Sequence, residues 1–305
     1  MRKKILITGG SGLLGVNWGL EWRSLYDVTL GIHERQVTLP SVKSKVLDLT
    51  AFDTAETGIL ACKPDIIIHC VALTSVEMCE RDPKLANTIN VDLARNVALV
   101  CEKWGVKLVH ISTDHLFSGE QEYIKEDSAY APLNQYGSSK AVAEQQVLSA
   151  CTQALVIRTN FFGWGLPYRK SFSDGILEEL RAGRSLRLFD DVFFSPILIE
   201  ALIFAVQKLL ISHEKGIFNL VGDERISKYH FGLLLADEFE LDAKLIQTGH
   251  IAECPHLVVR PRDMSLCNQK ATAVLGYRLG SVSAHLARLR EQELAGLPVR
   301  LSEIT

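Results

Sequence analysis

The sequence has no unbroken apolar run of about 18 residues, the length that crosses a membrane, so no membrane partner is expected. It has no excess of one charge either. Its 33 basic and 36 acidic residues leave a net charge of −3, which offers no basic footprint for nucleic acid. A few local arginines would still suffice for a small anion. None of the seven cysteines (Cys62, Cys70, Cys79, Cys101, Cys151, Cys254 and Cys267) forms a C-x-x-C pair, and their number is odd. Scattered thiols of this kind read as reduced, which points to the cytoplasm. His250, Cys254 and His256 fall short of the four regularly spaced ligands of a structural zinc site, so no metal is expected. The opening MRKKILITGGSGLLG lacks the long apolar core of a signal peptide, because its run breaks at Gly9 and Gly10. There is no repeat, no low-complexity tract and no Pro/Gly/Ser linker.

What is present is ordinary for a globular protein: 47% hydrophobic and 23% charged residues in a chain of 305. At about 150 residues per domain that length suggests two domains. Short apolar runs at 4–8, 27–32, 45–47, 65–70, 107–112 and 154–158 read as strands, several apolar on both faces. Helical patterns at 13–24, 51–61, 84–104 and 136–150 alternate with them. This alternation predicts an α/β fold, a Rossmann-type doubly wound parallel sheet with a smaller α/β substrate-binding domain woven into it. The expected division assigns 1–160 plus about 191–215 to the dinucleotide-binding domain and about 161–190 plus 216–305 to the substrate domain. The aromatic and glycine-rich stretch 160–172 reads as an irregular segment lining a pocket.

Thr8 to Gly15 follows the first strand and opens the first helix. Gly9 and Gly12 suit a tight turn against a pyrophosphate, and Gly15 lets the helix pack closely on the strand. The helix start at Leu13 and Leu14 offers free N–H groups to phosphates. The second strand ends at Glu34 and Arg35. An acidic residue there holds the ribose 2′-hydroxyl of NAD, and an arginine accommodates the 2′-phosphate of NADP. Arg35 favours NADP(H), because its fork matches a phosphate, with NAD(H) as the alternative. Asp48, after the third strand, is placed to meet the adenine.

Tyr136 and Lys140 are four residues apart and share one helix face. A free phenol titrates near 10, and a neighbouring ammonium lowers that value. The spacing therefore predicts Tyr136 as a general acid or base. Thr113 stands at the carboxyl end of the preceding strand, the edge where ligands of open α/β sheets bind. Its hydroxyl is placed to orient a carbonyl; a capping or turn role is the alternative.

Together, the TGGxGxxG loop and the Y-x-x-x-K pair resemble the extended short-chain dehydrogenase/reductases. Residues 74–77, 90–91, 110–114, 131–137 and 260–263 resemble more narrowly the dTDP-4-dehydrorhamnose reductase branch, the sugar-nucleotide-binding reductases. The resemblance implies NAD(P)H-dependent reduction of a keto group on a nucleotide-linked deoxysugar. It implies Thr113, Tyr136 and Lys140 as the catalytic set, with Lys140 also holding the nicotinamide ribose. Leu49 and Ala72 join the expected cofactor contacts. Thr74, His115, Phe161 and Arg260 are the expected substrate contacts; for Arg260 a domain-bridging ion pair is the alternative. A homodimer is left open.

Several positions depart from the branch. His115 stands where the family usually has Tyr, as a pocket wall or a second proton donor. The family commonly carries Trp near Phe161, and residues 191–196 lack the usual glycine. Two other activities stay in view. Dehydration is disfavoured because Asp114 is followed by His115 rather than Glu. Epimerisation needs only the same redox groups. A third reading is a non-catalytic subunit, since the regulatory subunit of methionine adenosyltransferase resembles this same branch.

Overall fold

The computed structural model describes residues 2–304. Six strands, β1 (Lys4–Thr8), β2 (Asp27–Ile32), β3 (Lys43–Val46), β4 (Ile66–His69), β5 (Lys107–Ile111) and β6 (Leu155–Arg158), pair in parallel, and a seventh, Gly216–Asn219, closes the edge beside β6. Across the sheet the order is Gly216–Asn219, β6, β5, β4, β1, β2, β3. Helices α1 (Leu13–Trp22), α2 (Phe52–Leu60), α3 (Val76–Arg81), α4 (Pro83–Asn87), α5 (Leu93–Trp104) and α6 (Gln135–Ala150) lie between the strands.

Alternation along each strand builds two cores. Ile5 and Ile7 face one side with Ile66, Ile68, Trp18 and Trp22. Leu6 faces the other with Ile67, Val97 and Val147. With both sides covered, nearly every central strand residue is apolar, as parallel sheets require. The chain winds outward from β1 to β3, then crosses back to β4. The resulting switch point between β1 and β4 opens a crevice at the carboxyl ends of the strands.

Beyond β6 the chain forms three small pairings. Phe161–Phe162 lies parallel to Ile197–Leu198, Phe193–Phe194 antiparallel to Ile226–Ser227, and Leu186–Phe189 parallel to Ile246–Gly249. Phe162, Phe172 and Phe194 pack around Phe231 and join these pieces. One expected boundary needs correction. Residues 216–219 pair with β6, so they extend the central sheet and are not the start of the second segment; we propose that the division falls after this strand. The expected helix 84–104 is interrupted by a π-helical turn at Thr88–Asp92. Among the described residues, no helix is long and apolar enough to cross a membrane.

Candidate active site

A cleft of about 1030 Å³ opens along the switch point. Its floor is the glycine loop. Gly9 has φ +70°, and a Cβ on Gly15 would stand 2.5 Å from the Gly9 carbonyl oxygen. Only glycines let α1 begin this close to β1. The N-cap of α1 is Gly12, which has no side-chain cap, and the first turn holds no acidic residue. The positive end of the helix thus faces the cleft without a competing anion. This cradle fits a dinucleotide pyrophosphate.

Gly9, Gly12, Leu13, Leu14 and Gly15 all line the cleft, as do Arg35, Asp48, Leu49 and Ala72. Thr50 donates to Asp48 through both N–H (2.9 Å) and hydroxyl (2.6 Å), and the hydroxyl bond foremost holds the carboxyl below its usual range. Glu34 does not join them: its side chain is 88% exposed and lies near His33. Of Glu34 and Arg35, both just beyond β2, Arg35 is the one that lines the cleft.

The other half of the cleft gathers Thr74, Thr113, His115, Tyr136, Lys140 and Phe161. Local sequence explains how α6 reaches it. The Asn134 side chain caps the helix by accepting from Gly137 N–H at 2.9 Å. A Cβ on Gly137 would lie 2.3 Å from the His115 carbonyl oxygen, so this glycine brings the first turn of α6 against the loop after β5. Tyr136 then stands beside that loop. Its ring meets His115 edge-on with centroids 5.4 Å apart, and the Thr113 hydroxyl accepts from the His115 N–H at 3.3 Å. Thr113 also donates to Asp114 Oδ1 at 3.2 Å, and Asn160 holds Asp114 from the far side.

The expected lowering of the Tyr136 pKa is not what the fold produces. Burial pushes the phenol up to about 12; the neighbouring Thr113 side chain opposes this and Asp114 adds to it. Lys140 is buried too, and its Nζ donates to the Ile111 carbonyl at 2.8 Å. Burial brings this amine down to about 8, against the opposing pull of Glu144 and Cys70. The i,i+4 spacing does place both groups in one cleft, and one donor of the ammonium is fixed by the backbone of β5. Burial also lowers the His115 pKa, and its Nδ1 has no partner. A neutral, half-buried ring fits a pocket wall better than a second acid.

Arg260 is not among the residues that line this cleft; its guanidinium pairs with Glu77 on α3, as the ion-pair alternative expects, and its Nε is buried without a partner. The sequence marks residues 90–91 only as part of the resemblance and gives Asn90 no site role; this residue is fully buried in the π-helical turn. Its amide oxygen accepts from Leu73 N–H at 2.7 Å and its Nδ2 donates to Ser139 Oγ at 2.9 Å. One side chain thus ties the loop after β4 to α6, and a π turn inside a long helix often marks such a site. Tyr168 and Arg169 also line the cleft; the aromatic stretch signalled the segment but not these residues.

The family described as RmlD substrate binding domain matches residues 2–294. A probable low-salt glycan biosynthesis reductase of Haloferax volcanii is 26% identical, covering 93% of this chain and 96% of its own length. The methionine adenosyltransferase 2 subunit beta of Pongo abelii is 28% identical, covering 90% of this chain and 84% of its own. Among solved structures, the dTDP-4-dehydrorhamnose reductase of Bacillus anthracis in complex with NADP superposes with a TM-score of 0.85 at 25% identity, covering 96% of this chain and 100% of that one.

Proposed function

Because this chain belongs to the RmlD substrate binding domain family, we propose that it is an NADP(H)-dependent reductase of a keto group on a nucleotide-linked deoxysugar, with Tyr136 as the proton donor. The observation that carries this reading is the meeting of Tyr136, Thr113 and Lys140 with the glycine cradle in one cleft. The cradle and Arg35 would hold the cofactor, with Arg35 favouring the 2′-phosphate and NAD(H) as the lesser alternative. When bound, the cofactor supplies a hydride to the carbonyl carbon.

The chain's own groups manage the oxygen. The Thr113 hydroxyl orients the carbonyl, and the Tyr136 phenol, protonated across the physiological range, delivers its proton to that oxygen as the alcohol forms. Lys140, fixed by Ile111, keeps a positive charge near the developing alkoxide below pH of about 8. Phe161, Thr74 and His115 form the sugar-side wall.

Tyr136→Phe tests this. It removes one oxygen and keeps the ring, so turnover of the keto-sugar should fall about 100-fold or more while NADPH titration stays within about two-fold of wild type. Undiminished turnover would sink the assignment. The similarity to a methionine adenosyltransferase subunit over 90% of the chain supports a second reading, a dinucleotide-binding subunit without turnover. That reading predicts cofactor binding, no reduction of any keto-sugar, and a stable complex with a larger enzyme.

A further inference from the structure

The segment after Phe161 crosses the cleft as a strap. Leu166 and Arg169 exchange backbone hydrogen bonds of 2.9 Å each, which closes a tight turn with Pro167 and Tyr168 at its tip. The base is anchored. Asp174 Oδ2 accepts from Gly165 N–H at 2.8 Å and from Ser171 N–H at 2.7 Å, and Ser171 and Asp174 form the capping box of the helix Phe172–Arg181. The tip touches the cofactor half of the cleft at two points. The Tyr168 hydroxyl donates to the Ser11 carbonyl at 3.0 Å, within the glycine loop. The Arg35 guanidinium lies 3.9 Å from the centroid of the Tyr168 ring. On the opposite rim, Arg169 donates to the Thr74 hydroxyl.

We propose that Tyr168 determines cofactor selectivity by holding Arg35 ready for a 2′-phosphate. This rests on the reading of the cleft as an NADP(H) site. A guanidinium stacked on an aromatic ring uses its face, and its N–H donors stay free in the plane. Among the described residues, Tyr168 is the aromatic partner of Arg35, and no hydrogen bond occupies the Arg35 donors. An unstacked arginine loses its rotamer freedom when it closes on a phosphate; a stacked one has lost much of it beforehand. NADH, which lacks the 2′-phosphate, gains nothing from this arrangement. Selectivity for the phosphorylated dinucleotide therefore comes from a residue about 130 positions downstream of the β2 end that the sequence singles out.

The test is calorimetric titration of the full chain with NADPH and with NADH, for wild type, Tyr168→Ala, Tyr168→Phe and Arg35→Ala. Tyr168→Ala should weaken NADPH about five-fold, the scale of one exposed cation–π contact, and NADH much less. Tyr168→Phe keeps the ring, so it should keep the NADPH:NADH ratio even though the bond to Ser11 is lost. In an Arg35→Ala background, Tyr168→Ala should not change that ratio further. An unchanged ratio in Tyr168→Ala, or equal weakening of both cofactors, would overturn the proposal while leaving the reductase reading intact. A wild-type chain that binds neither cofactor would overturn both.

Discussion

His110 Nε2 lies 3.5 Å from the Lys140 nitrogen, and His69 stacks on His110 with ring centroids 5.5 Å apart. The register of β4 and β5 sets this pair side by side, since His69 and His110 are direct Cα partners. Both are buried, at 1% and 0% exposure. His69 is further tied to the Thr8 hydroxyl at 2.8 Å. The cleft therefore rests on two imidazoles that bear no charge. Burial foremost, and then the Lys140 charge, brings His69 down to about 3 and drives His110 well below its ordinary value.

These depressed values fix how stability depends on pH. In the unfolded chain a histidine takes up a proton below about 6.5, whereas in the fold these two do not. The unfolded state then binds more protons, so stability falls as pH drops below about 6.5 and is unaffected by these groups above 7. Each such histidine costs about 1.4 kcal/mol per pH unit inside that window. Urea unfolding at pH 7.5 and pH 5 measures the loss. His69→Gln, which keeps a polar partner for Thr8, should lose about 2 kcal/mol less between the two pH values than wild type. Parallel behaviour of the two proteins would contradict the account.

Parts of this architecture are legible in the sequence and parts are not. The apolar run at β1, the glycine loop and the Tyr136–Lys140 spacing are local signals, and local chemistry is enough to read them. Sheet membership of Gly216–Asn219 is not local, because its partner β6 lies some 60 residues away. The sequence offers Arg260 as a substrate contact or a domain-bridging ion pair, but only the fold brings Glu77 to it across 183 residues. The direction of the Lys140 amine is hidden for another reason. Helical spacing says which side chains share a face, but not that a carbonyl of β5 takes the ammonium.

Gly137→Ala tests how α6 is docked. The added Cβ would meet the His115 carbonyl oxygen at 2.3 Å. That partner is backbone, so it cannot swing aside and the first helical turn must retreat. Helix propensity alone favours alanine over glycine by about 1 kcal/mol, so global stability should fall little. Turnover should fall about 100-fold, because a displacement near 1 Å at a reacting group costs that much. Steady-state kinetics beside a thermal melt separates the two effects. Full activity in the variant would mean that Gly137 does not set the Tyr136 position.

The buried pair behind Lys140 links stability to chemistry. Arg158 in β6 and Glu144 in α6 are 1% and 0% exposed and meet at 2.8 Å. The carboxylate also accepts from the Tyr130 hydroxyl at 2.7 Å, and Arg158 Nη1 donates to the Glu126 carbonyl at 3.1 Å. Desolvating two ions costs several kcal/mol each, and these added bonds offset that cost. Glu144→Gln strands the guanidinium and should destabilise by about 3–5 kcal/mol, read as a shift in urea midpoint. Arg158→Met strands the carboxylate at similar cost. Glu144→Leu combined with Arg158→Met leaves no lone charge and should recover part of the loss. The Glu144 charge also acts on Lys140, opposing the burial that brings it to about 8. Removing that charge should lower the Lys140 value further. The falling alkaline limb of turnover should then move to lower pH in Glu144→Gln. A purely structural role would change the urea midpoint and leave that limb where it was.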